Sequence, residues 1–177
     1  MTAISPKMIF NGIVRRARRS DLENIAHVEE SCFTADIGYE KNLLKEHLDK
    51  SLRSKKTVLV VAFSRASQNA PSKIAGYGLA EIDRWGRGEL IGNAVMPAFR
   101  GQGLGRRLIE YRLRALKHLG VKKFVSQIAT TNKASIQLAE SCGFVKEKLL
   151  HHYYGKNRHA YWMSRTEQSK KPQNKQA

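Results

Sequence analysis

The stretch that decides the fold is residues 94–106, which read AVMPAFRGQGLGR. It follows an apolar run typical of a β-strand, and the apolar residues after it recur at helical spacing. Three glycines, Gly101, Gly103 and Gly105, stand in between. Glycine lets the backbone adopt positive φ and approach a ligand closely, and a helix start offers unpaired N–H groups and a partial positive charge. The stretch therefore predicts a strand, a turn suited to an anion such as a pyrophosphate, and a helix.

Two well-known phosphate loops do not fit this turn. No Gly-Lys-Ser/Thr follows it, as a Walker loop would require, and the spacing Gly101-x-Gly103-x-Gly105 lacks the G-x-G-x-x-G pattern of dinucleotide-binding folds. A turn that is only structural stays open as the alternative on the glycine spacing alone.

The patterns on either side of the turn predict one mixed α/β domain over residues 8–165 in the order β-α-α-β-β-β-α-β-α-β-β. A capping box at residues 20–23 (SDLE) begins the first helix. The other helices are expected at residues 40–53, 104–119 and 133–141. The strands are expected at residues 13–17, 57–63, 73–83, 88–96, 122–128, 144–150 and 159–163. Residues 166–177 read as a disordered basic tail.

The charge of the chain favours an anionic partner. Its 177 residues include 32 lysines and arginines against 15 acidic residues, a formal net charge of +17. Nucleic acid, an acidic protein and a phosphorylated cofactor all fit this charge, and solubility alone is the alternative. No apolar run approaches the roughly 20 residues that span a bilayer, and no secretory signal is recognised at the start. With only two cysteines, Cys32 and Cys142, we expect no disulfide framework and a cytoplasmic protein.

The motif Arg100-x-x-Gly103-x-Gly105 resembles the (Arg/Gln)-x-x-Gly-x-(Gly/Ala) motif of the GNAT N-acetyltransferases, which bind acetyl-CoA. Residues 94–97 are similar to the end of that family's preceding strand. Residues 132–144 resemble its Asn-x-x-Ala…Glu-x-x-Gly-Phe helix and strand. The resemblance covers residues 14–163 and implies the acyl-CoA N-acyltransferase fold: a mixed, mostly antiparallel central sheet of about seven strands flanked by four helices.

The resemblance also implies how the co-substrate acetyl-CoA binds, without a metal. Backbone groups of Asn93, Ala94 and Val95 would bond the pantetheine arm like a further strand. Asn132 would reach the pantetheine or the sulfur end, although it also suits a helix N-cap. Arg100, the first residue of the motif, would also bind the cofactor. The pyrophosphate would be held by the amides of Gly101, Gln102, Gly103, Leu104, Gly105 and Arg106.

Within the family, the chain looks most similar to the ribosomal-protein alanine N-acetyltransferases and related protein N-terminal acetyltransferases. It departs from them at the catalytic positions, because Gln127 stands where that branch has a glutamate and Ala139 where it has a tyrosine. Neither residue can act as an acid or a base, so the acceptor of that branch does not carry over.

A general base is still needed, because an ammonium group has no lone pair until it loses a proton. Counted back from Arg100, Glu89 falls where the histone-acetyltransferase branch places its base, and we predict that role for it. A solvated carboxylate at the strand end is the alternative, and Glu81 and Asp83 are the next candidates.

Tyr154 is the first candidate for the acid that protonates the leaving thiolate, followed by Tyr153. A packed aromatic residue, or one that lines the acceptor groove, is the alternative reading of both.

The predicted activity is transfer of an acetyl group to a primary amine by direct attack on the thioester. The amine could belong to a protein N-terminus, a lysine or a small molecule. The alternatives are an acetyltransferase associated with RNA or tRNA through its basic surface, and a non-catalytic acyl-CoA-binding module. We expect no membrane partner, and either a monomer or a homodimer.

Overall fold

The computed structural model describes residues 8–33, 38–66 and 72–167 of the chain. The elements follow the predicted order. The strands are β1 (Gly12–Arg16), β2 (Thr57–Ser64), β3 (Lys73–Ile82), β4 (Gly88–Val95), β5 (Lys123–Ala129), β6 (Val145–Leu150) and β7 (Ala160–Thr166). The helices are α1 (Leu22–Cys32), α2 (Lys41–Arg53), α3 (Leu104–Lys117) and α4 (Lys133–Ser141), with short 3-10 turns at Arg19–Asp21 and Pro97–Phe99.

All seven strands belong to one sheet in the order β1-β2-β3-β4-β5-β7-β6. Neighbouring strands are antiparallel except β4 and β5, which are parallel. This is the mixed, mostly antiparallel sheet with four helices that the sequence predicted, so the fold prediction is confirmed.

Helices cover the sheet on both faces. The apolar residues of α1 and α2 pack on one face, and those of α3 and α4 pack on the other. Strand β2 lies between the two layers, which explains its continuous apolar sequence from Thr57 to Phe63. Burial on both faces removes the alternation that a half-exposed strand would show.

The strands β4 and β5 separate soon after they pair. Their parallel ladder holds only the pairs Gly88–Phe124 and Glu89–Val125. A β-bulge follows in β4, because Leu79 pairs with Gly92 while Ala80 pairs with Leu90, which leaves Ile91 as the extra residue. The rest of β4 keeps its ladder to β3 but has none to β5.

The predicted capping box at the start of α1 is wrong. The chain instead forms the 3-10 turn Arg19–Asp21 before the helix begins, and no side chain caps the helix start. The carboxylate of Asp21 accepts a hydrogen bond from the N–H of Arg18 at 2.7 Å and two from Arg15. Asp21, which the pattern placed in the first turn of the helix, thus forms its hydrogen bonds in the 3-10 turn that precedes the helix.

The last strand passes the predicted domain end at residue 165. Strand β7 continues to Thr166, which pairs with Lys123, and the N–H of Glu167 donates to the carbonyl oxygen of Lys122 at 2.8 Å. The remainder of the predicted tail, residues 168–177, lies outside the described residues.

Candidate active site

A cavity of about 470 Å³ lies where β4 and β5 separate. One wall is the bulged part of β4, residues 90–93, and the opposite wall is residues 126–129 of β5. Side chains from both helical layers complete it, among them Leu138 of α4 and Glu29 of α1. The cavity therefore passes through the sheet and meets both of its faces.

The glycine-rich turn has the backbone conformation that the sequence predicted. Gly101 and Gly103 have φ of 79° and 73°, values that favour glycine. Apart from its neighbours in the chain, no atom of the described residues lies within 4 Å of a Cβ built on either glycine, so the described part of the chain leaves space beside the turn. The first hydrogen bond of α3 runs from the N–H of Arg107 to the oxygen of Gly103 at 3.1 Å. The N–H groups of residues 104–106 thus have no acceptor within the helix.

The polar side chains of this turn hold the turn itself. Arg100 Nε donates to the oxygen of Val95 at 2.9 Å, and Arg106 Nη2 donates to the oxygen of Ser141 at 2.7 Å. The Gln102 amide bonds the backbone of Met8 and Phe10. What the turn offers to an anion is therefore its backbone N–H groups.

Gly105 of α3 packs closely against Leu138 of α4. A Cβ at this position would lie 2.8 Å from Cδ2 of Leu138, so the Leu138 side chain would have to move to admit a larger residue. This packing role was not part of the prediction for Gly105.

The cavity side of β4 carries the strand edge that was predicted to bind pantetheine. Asn93, Ala94 and Val95 pair with β3 on one side only. Asn132 lies across the cavity, where its Oδ1 caps α4 by accepting from the N–H of Ser135 at 3.1 Å. Its side chain is the predicted N-cap and lines the cavity as well.

A buried arginine holds the bulge. Arg112 of α3 is fully buried and lines the cavity. Its Nη1 donates to the oxygens of Leu79 and Gly92, at 2.8 and 2.6 Å, and its Nη2 donates to Oδ1 of Asn93 at 2.6 Å. A Cβ on Gly78 would lie 2.7 Å from the guanidinium, so glycine there makes room for it.

Burial lowers the pKa of Arg112, but a guanidinium remains a cation at neutral pH. No carboxylate of the described residues contacts it, and its partners are carbonyl and amide oxygens. The bond from Arg112 also orients the Asn93 amide, because Oδ1 accepts it and Nδ2 is left as the donor that points elsewhere.

A second charged group, Glu29 of α1, is buried on the other side of the cavity. Its Oε1 accepts from the N–H of Tyr39 at 2.7 Å, and its Oε2 accepts from the hydroxyl of Tyr77. Burial raises the pKa of Glu29, although the two hydrogen bonds oppose that effect.

The predicted base Glu89 does not line the cavity. It lies in the paired part of β4, opposite Glu81 and Val125, and its side chain forms no hydrogen bond or ion pair with another described residue. The pKa of Tyr153 is raised mainly by burial, and the charge of Glu89 is the second cause.

The next two candidates for the base, Glu81 and Asp83, pair with other side chains and do not line the cavity. Glu81 accepts from Nδ1 of His47 at 3.0 Å, and Asp83 pairs with Nε of Arg87 at 2.8 Å in the β3–β4 turn.

Tyr154, the predicted acid, lines the cavity from the connection between β6 and β7. Its hydroxyl donates to the oxygen of Gln127 at 2.9 Å. Burial, followed by nearby Tyr153, raises the pKa of Tyr154, so its hydroxyl keeps its proton at neutral pH. Gln127 and Ala139 both line the cavity, so the two positions that depart from the resembling branch do belong to this site.

The sequence analysis missed Arg112 and Glu29. Both stand on the apolar stripe of a helix, Arg112 four residues from Leu108 and Leu116, and Glu29 four residues from Ile25. A charged residue at such a position is the signal that could have found them.

Among the described residues, no group of three or more His, Cys, Asp or Glu side chains could hold a metal ion. None of the helices in the described part of the chain is both long and apolar enough to cross a membrane.

The chain belongs to the acetyltransferase (GNAT) family, whose profile matches residues 22–144. It is therefore an N-acetyltransferase. One relative, an N-alpha-acetyltransferase of Sulfolobus acidocaldarius, is 26% identical over 171 residues, which cover 89% of this chain and 94% of the relative.

Solved structures share the fold. The ribosomal-protein-S18-alanine N-acetyltransferase of Escherichia coli superposes with a TM-score of 0.72 at 20% identity, covering 92% of this chain and 98% of that one. Salmonella typhimurium yncA, solved with its cofactor acetyl-CoA, gives a TM-score of 0.70 at 21% identity and covers 93% and 99% of the two chains.

Proposed function

We propose that this protein transfers the acetyl group of acetyl-CoA to the α-amino group of a protein or peptide. The observation that carries the proposal is the cavity at the splayed strands, which is lined by residues from both helical layers and lies next to Gly105 of the glycine-rich turn through Leu138 and Asn93. Acetyl-CoA would enter from the turn, and the amine from the face of α1 and α2.

The cofactor would be bound mainly by backbone. The N–H groups of residues 101–106 would hold the pyrophosphate, because they lie at the positive end of α3 and those of residues 104–106 have no acceptor within the helix. The free edge of residues 93–95 would bond the pantetheine, and Asn132 lies across the cavity from it. Arg100 and Arg106 would act by fixing the turn, since both side chains bond backbone oxygens.

The chemistry is direct transfer. The neutral amine attacks the thioester carbonyl, and the CoA thiolate leaves with ease because a thiol has a pKa near 8.5. We assign Tyr154 as the acid that can protonate this thiolate, because it lines the cavity and holds its proton at neutral pH. Glu89 is the base that the sequence predicted; its side chain does not line the cavity, although burial and, to a smaller extent, the charge of Glu89 raise the pKa of Tyr39, Tyr153 and Tyr154.

The α-amino group is preferred over a lysine because of the relatives. The Sulfolobus acidocaldarius protein is an N-alpha-acetyltransferase, and its alignment runs over most of both chains. We place the reaction in the cytoplasm, where the free thiols of Cys32 and Cys142 would stay reduced.

Mass spectrometry tests the activity. The protein is incubated with acetyl-CoA and a panel of peptides that differ in their first residues, together with peptides that carry a lysine behind a blocked N-terminus. We expect one added acetyl group on free N-termini only. Acetylation confined to lysine, or no acetylation of any peptide, would overturn the proposal.

A substitution in the glycine-rich turn tests where the cofactor binds. Gly103→Asp adds a side chain at positive φ and a negative charge beside the predicted pyrophosphate, so affinity for CoA should fall by at least tenfold, about 1.4 kcal/mol. Gly86→Asp is the matched control, because Gly86 has φ of 77° and open space around it but lies in the β3–β4 turn. Equal CoA affinity of both variants in calorimetry would contradict the placement.

One surface feature favours RNA as a second partner. Trp85 is 63% exposed, and the guanidinium carbons of Arg84 and Arg87 lie 4.0 and 4.5 Å from its ring centroid. Arg87 also lies 4.9 Å from the ring of Trp162, which Lys148 contacts in turn. Aromatic rings between cations are typical of surfaces that bind single-stranded nucleic acid. Binding of a single-stranded RNA that weakens steeply with salt, and weakens further in Trp85→Ala, would support this role.

A further inference from the structure

The cavity has a carboxylate that no sequence pattern assigned to it. Glu29 is only 3% exposed, and among the described side chains that line the cavity it is the only carboxylate. Burying a charge is costly unless partners hold it. A buried carboxylate at the wall of a substrate cavity therefore needs an explanation.

Two partners fix this carboxylate without saturating it. The hydroxyl of Tyr77 donates to Oε2, and the N–H of Tyr39 donates to Oε1 at 2.7 Å. Each carboxylate oxygen can accept a second hydrogen bond, and so can the hydroxyl oxygen of Tyr77. The pair can therefore still accept a proton.

The pair lies beside the bulge. A Cβ built on Gly92 would lie 3.7 Å from the hydroxyl oxygen of Tyr77 and 3.6 Å from Cε2 of Tyr39. Gly92 follows the extra residue of the bulge, where β4 leaves β5. The Tyr77 hydroxyl thus lies beside the bulge in the wall of the cavity, on the side of α1, from which the amine would come.

We propose that Tyr77 and Glu29 form the general base of the acetyl transfer, with Tyr77 relaying a proton from the substrate ammonium to Glu29. The inference rests on the proposed function, because it assumes a primary amine in this cavity. It replaces Glu89 as the base by a group that lines the site.

The step balances without any further reactant. The ammonium gives one proton to the Tyr77 oxygen while the Tyr77 proton moves to Glu29, which becomes a neutral carboxylic acid. The freed amine forms a C–N bond with the thioester carbon, and the C–S bond then breaks. Tyr154 gives its proton to the thiolate and takes up the second proton of the nitrogen, the products are an amide and CoA thiol, and Glu29 returns its proton to water.

The environment of Glu29 suits this role. Burial raises the pKa of Glu29 toward the working pH, which favours a general base. Burial and the charge of Glu29 raise the pKa of Tyr77 above its ordinary value, so its hydroxyl enters the reaction protonated, as a relay requires. The other titratable or charged groups around the pair are Tyr39, Cys32, Tyr154, Arg112 and Arg158.

The test compares Glu29→Gln with Glu30→Gln, an exposed neighbour on the same helix. We expect kcat to fall on the order of 10²–10⁴-fold in Glu29→Gln and to stay unchanged in Glu30→Gln. Affinity for acetyl-CoA should stay within about twofold, since backbone groups hold the cofactor. The wild-type rate should fall at acidic pH as Glu29 becomes protonated, and Glu29→Gln should lose this acidic limb.

Tyr77→Phe provides the second variant, because it removes one hydroxyl and keeps the ring in the core. We expect a lower kcat with an acidic limb that remains, since Glu29 is still present. Wild-type turnover in Glu29→Gln or Tyr77→Phe, or an acidic limb that survives in Glu29→Gln, would overturn the inference while leaving the proposed function in place. A wild-type protein that acetylates no amine would overturn both.

Discussion

Two charged residues, Glu29 and Arg112, occupy positions on helices where an apolar residue would be expected. Both are buried, and both line the cavity from opposite layers of the fold. Each is held by hydrogen bonds rather than by an opposite charge. At the scale of single residues, the site is built from polar groups that the core has to accommodate.

Asn93→Asp tests the acceptor oxygen and the donor nitrogen of the Asn93 amide separately. The new carboxylate would pair with Arg112, so the free energy of unfolding should stay equal or rise. The donor Nδ2 would be lost, and affinity for acetyl-CoA should fall about five- to tenfold, the worth of one hydrogen bond. Denaturant unfolding and calorimetry measure the two effects. Asn24→Asp, exposed on α1, is the control, and a loss of stability in Asn93→Asp alone would contradict the argument.

Glu89→Gln decides between the two candidate bases. If Glu29 and Tyr77 carry the proton, Glu89→Gln should lower kcat by less than about tenfold, a smaller effect than the loss of a general base. The same peptide assay and pH profile apply. A loss on the order of 10²–10⁴-fold with partial rescue at high pH would instead restore Glu89 as the base predicted from the sequence.

At the scale of elements, Arg112 connects α3 to the bulge of β4. Replacing it with methionine would leave the carbonyl oxygens of Leu79 and Gly92 buried without their donors. We expect Arg112→Met to lower the free energy of unfolding by on the order of 2–4 kcal/mol. Arg114→Met, exposed on the same helix, should cost under about 0.5 kcal/mol. Equal urea midpoints of the two variants would show that the contacts of Arg112 do not stabilise the fold.

Helices and strands with a clear apolar pattern could be predicted from the sequence, whereas the hydrogen-bond partners of individual side chains could not. The continuous apolar sequence of β2 and the apolar stripe of α3 each point to one arrangement in the fold. The predicted capping box does not form: Ser20 lies within the 3-10 turn, where its neighbour Asp21 accepts two hydrogen bonds from Arg15, six residues away. The bulge at Ile91 and the hydrogen-bonded pair Glu29–Tyr77 depend on contacts between residues that are far apart in the sequence, so local sequence patterns could not predict them.

The glycine-rich turn shows how far sequence reaches into the site. Gly101 and Gly103 were placed at positive φ because a ligand would need close backbone approach, and both have that conformation. The partner of the Arg106 side chain could not be predicted in this way, since it is the backbone oxygen of Ser141, 35 residues away. The cofactor side of the site follows from local backbone chemistry, whereas the acceptor side follows from tertiary packing.

At the scale of the whole molecule, the end of the domain can be tested by truncation. A chain that stops after Glu167 keeps the last strand, the ion pair of Glu167 with Lys117 and the bond from Arg165 to the oxygen of Cys142. We expect unchanged thermal stability and CoA binding, because residues 168–177 carry three lysines and no apolar period.

The matched truncation stops after Ser164. It removes the pairs that Arg165 and Thr166 form with β5, and we expect a Tm lower by several degrees, roughly 2–4 °C for each kcal/mol lost. Equal melting curves for the two truncations would mean that the domain ends at residue 164 or before.

Because the cavity is lined from both faces of the sheet, the proposed function has the two substrates arriving from opposite faces, so that neither has to leave before the other enters. The acyl group then never needs to be stored on the protein between two half-reactions. Reciprocal plots of initial velocity against one substrate, at several fixed concentrations of the other, should therefore give lines that intersect rather than run parallel. Parallel lines would mean that the two entrances do not serve two separate molecules.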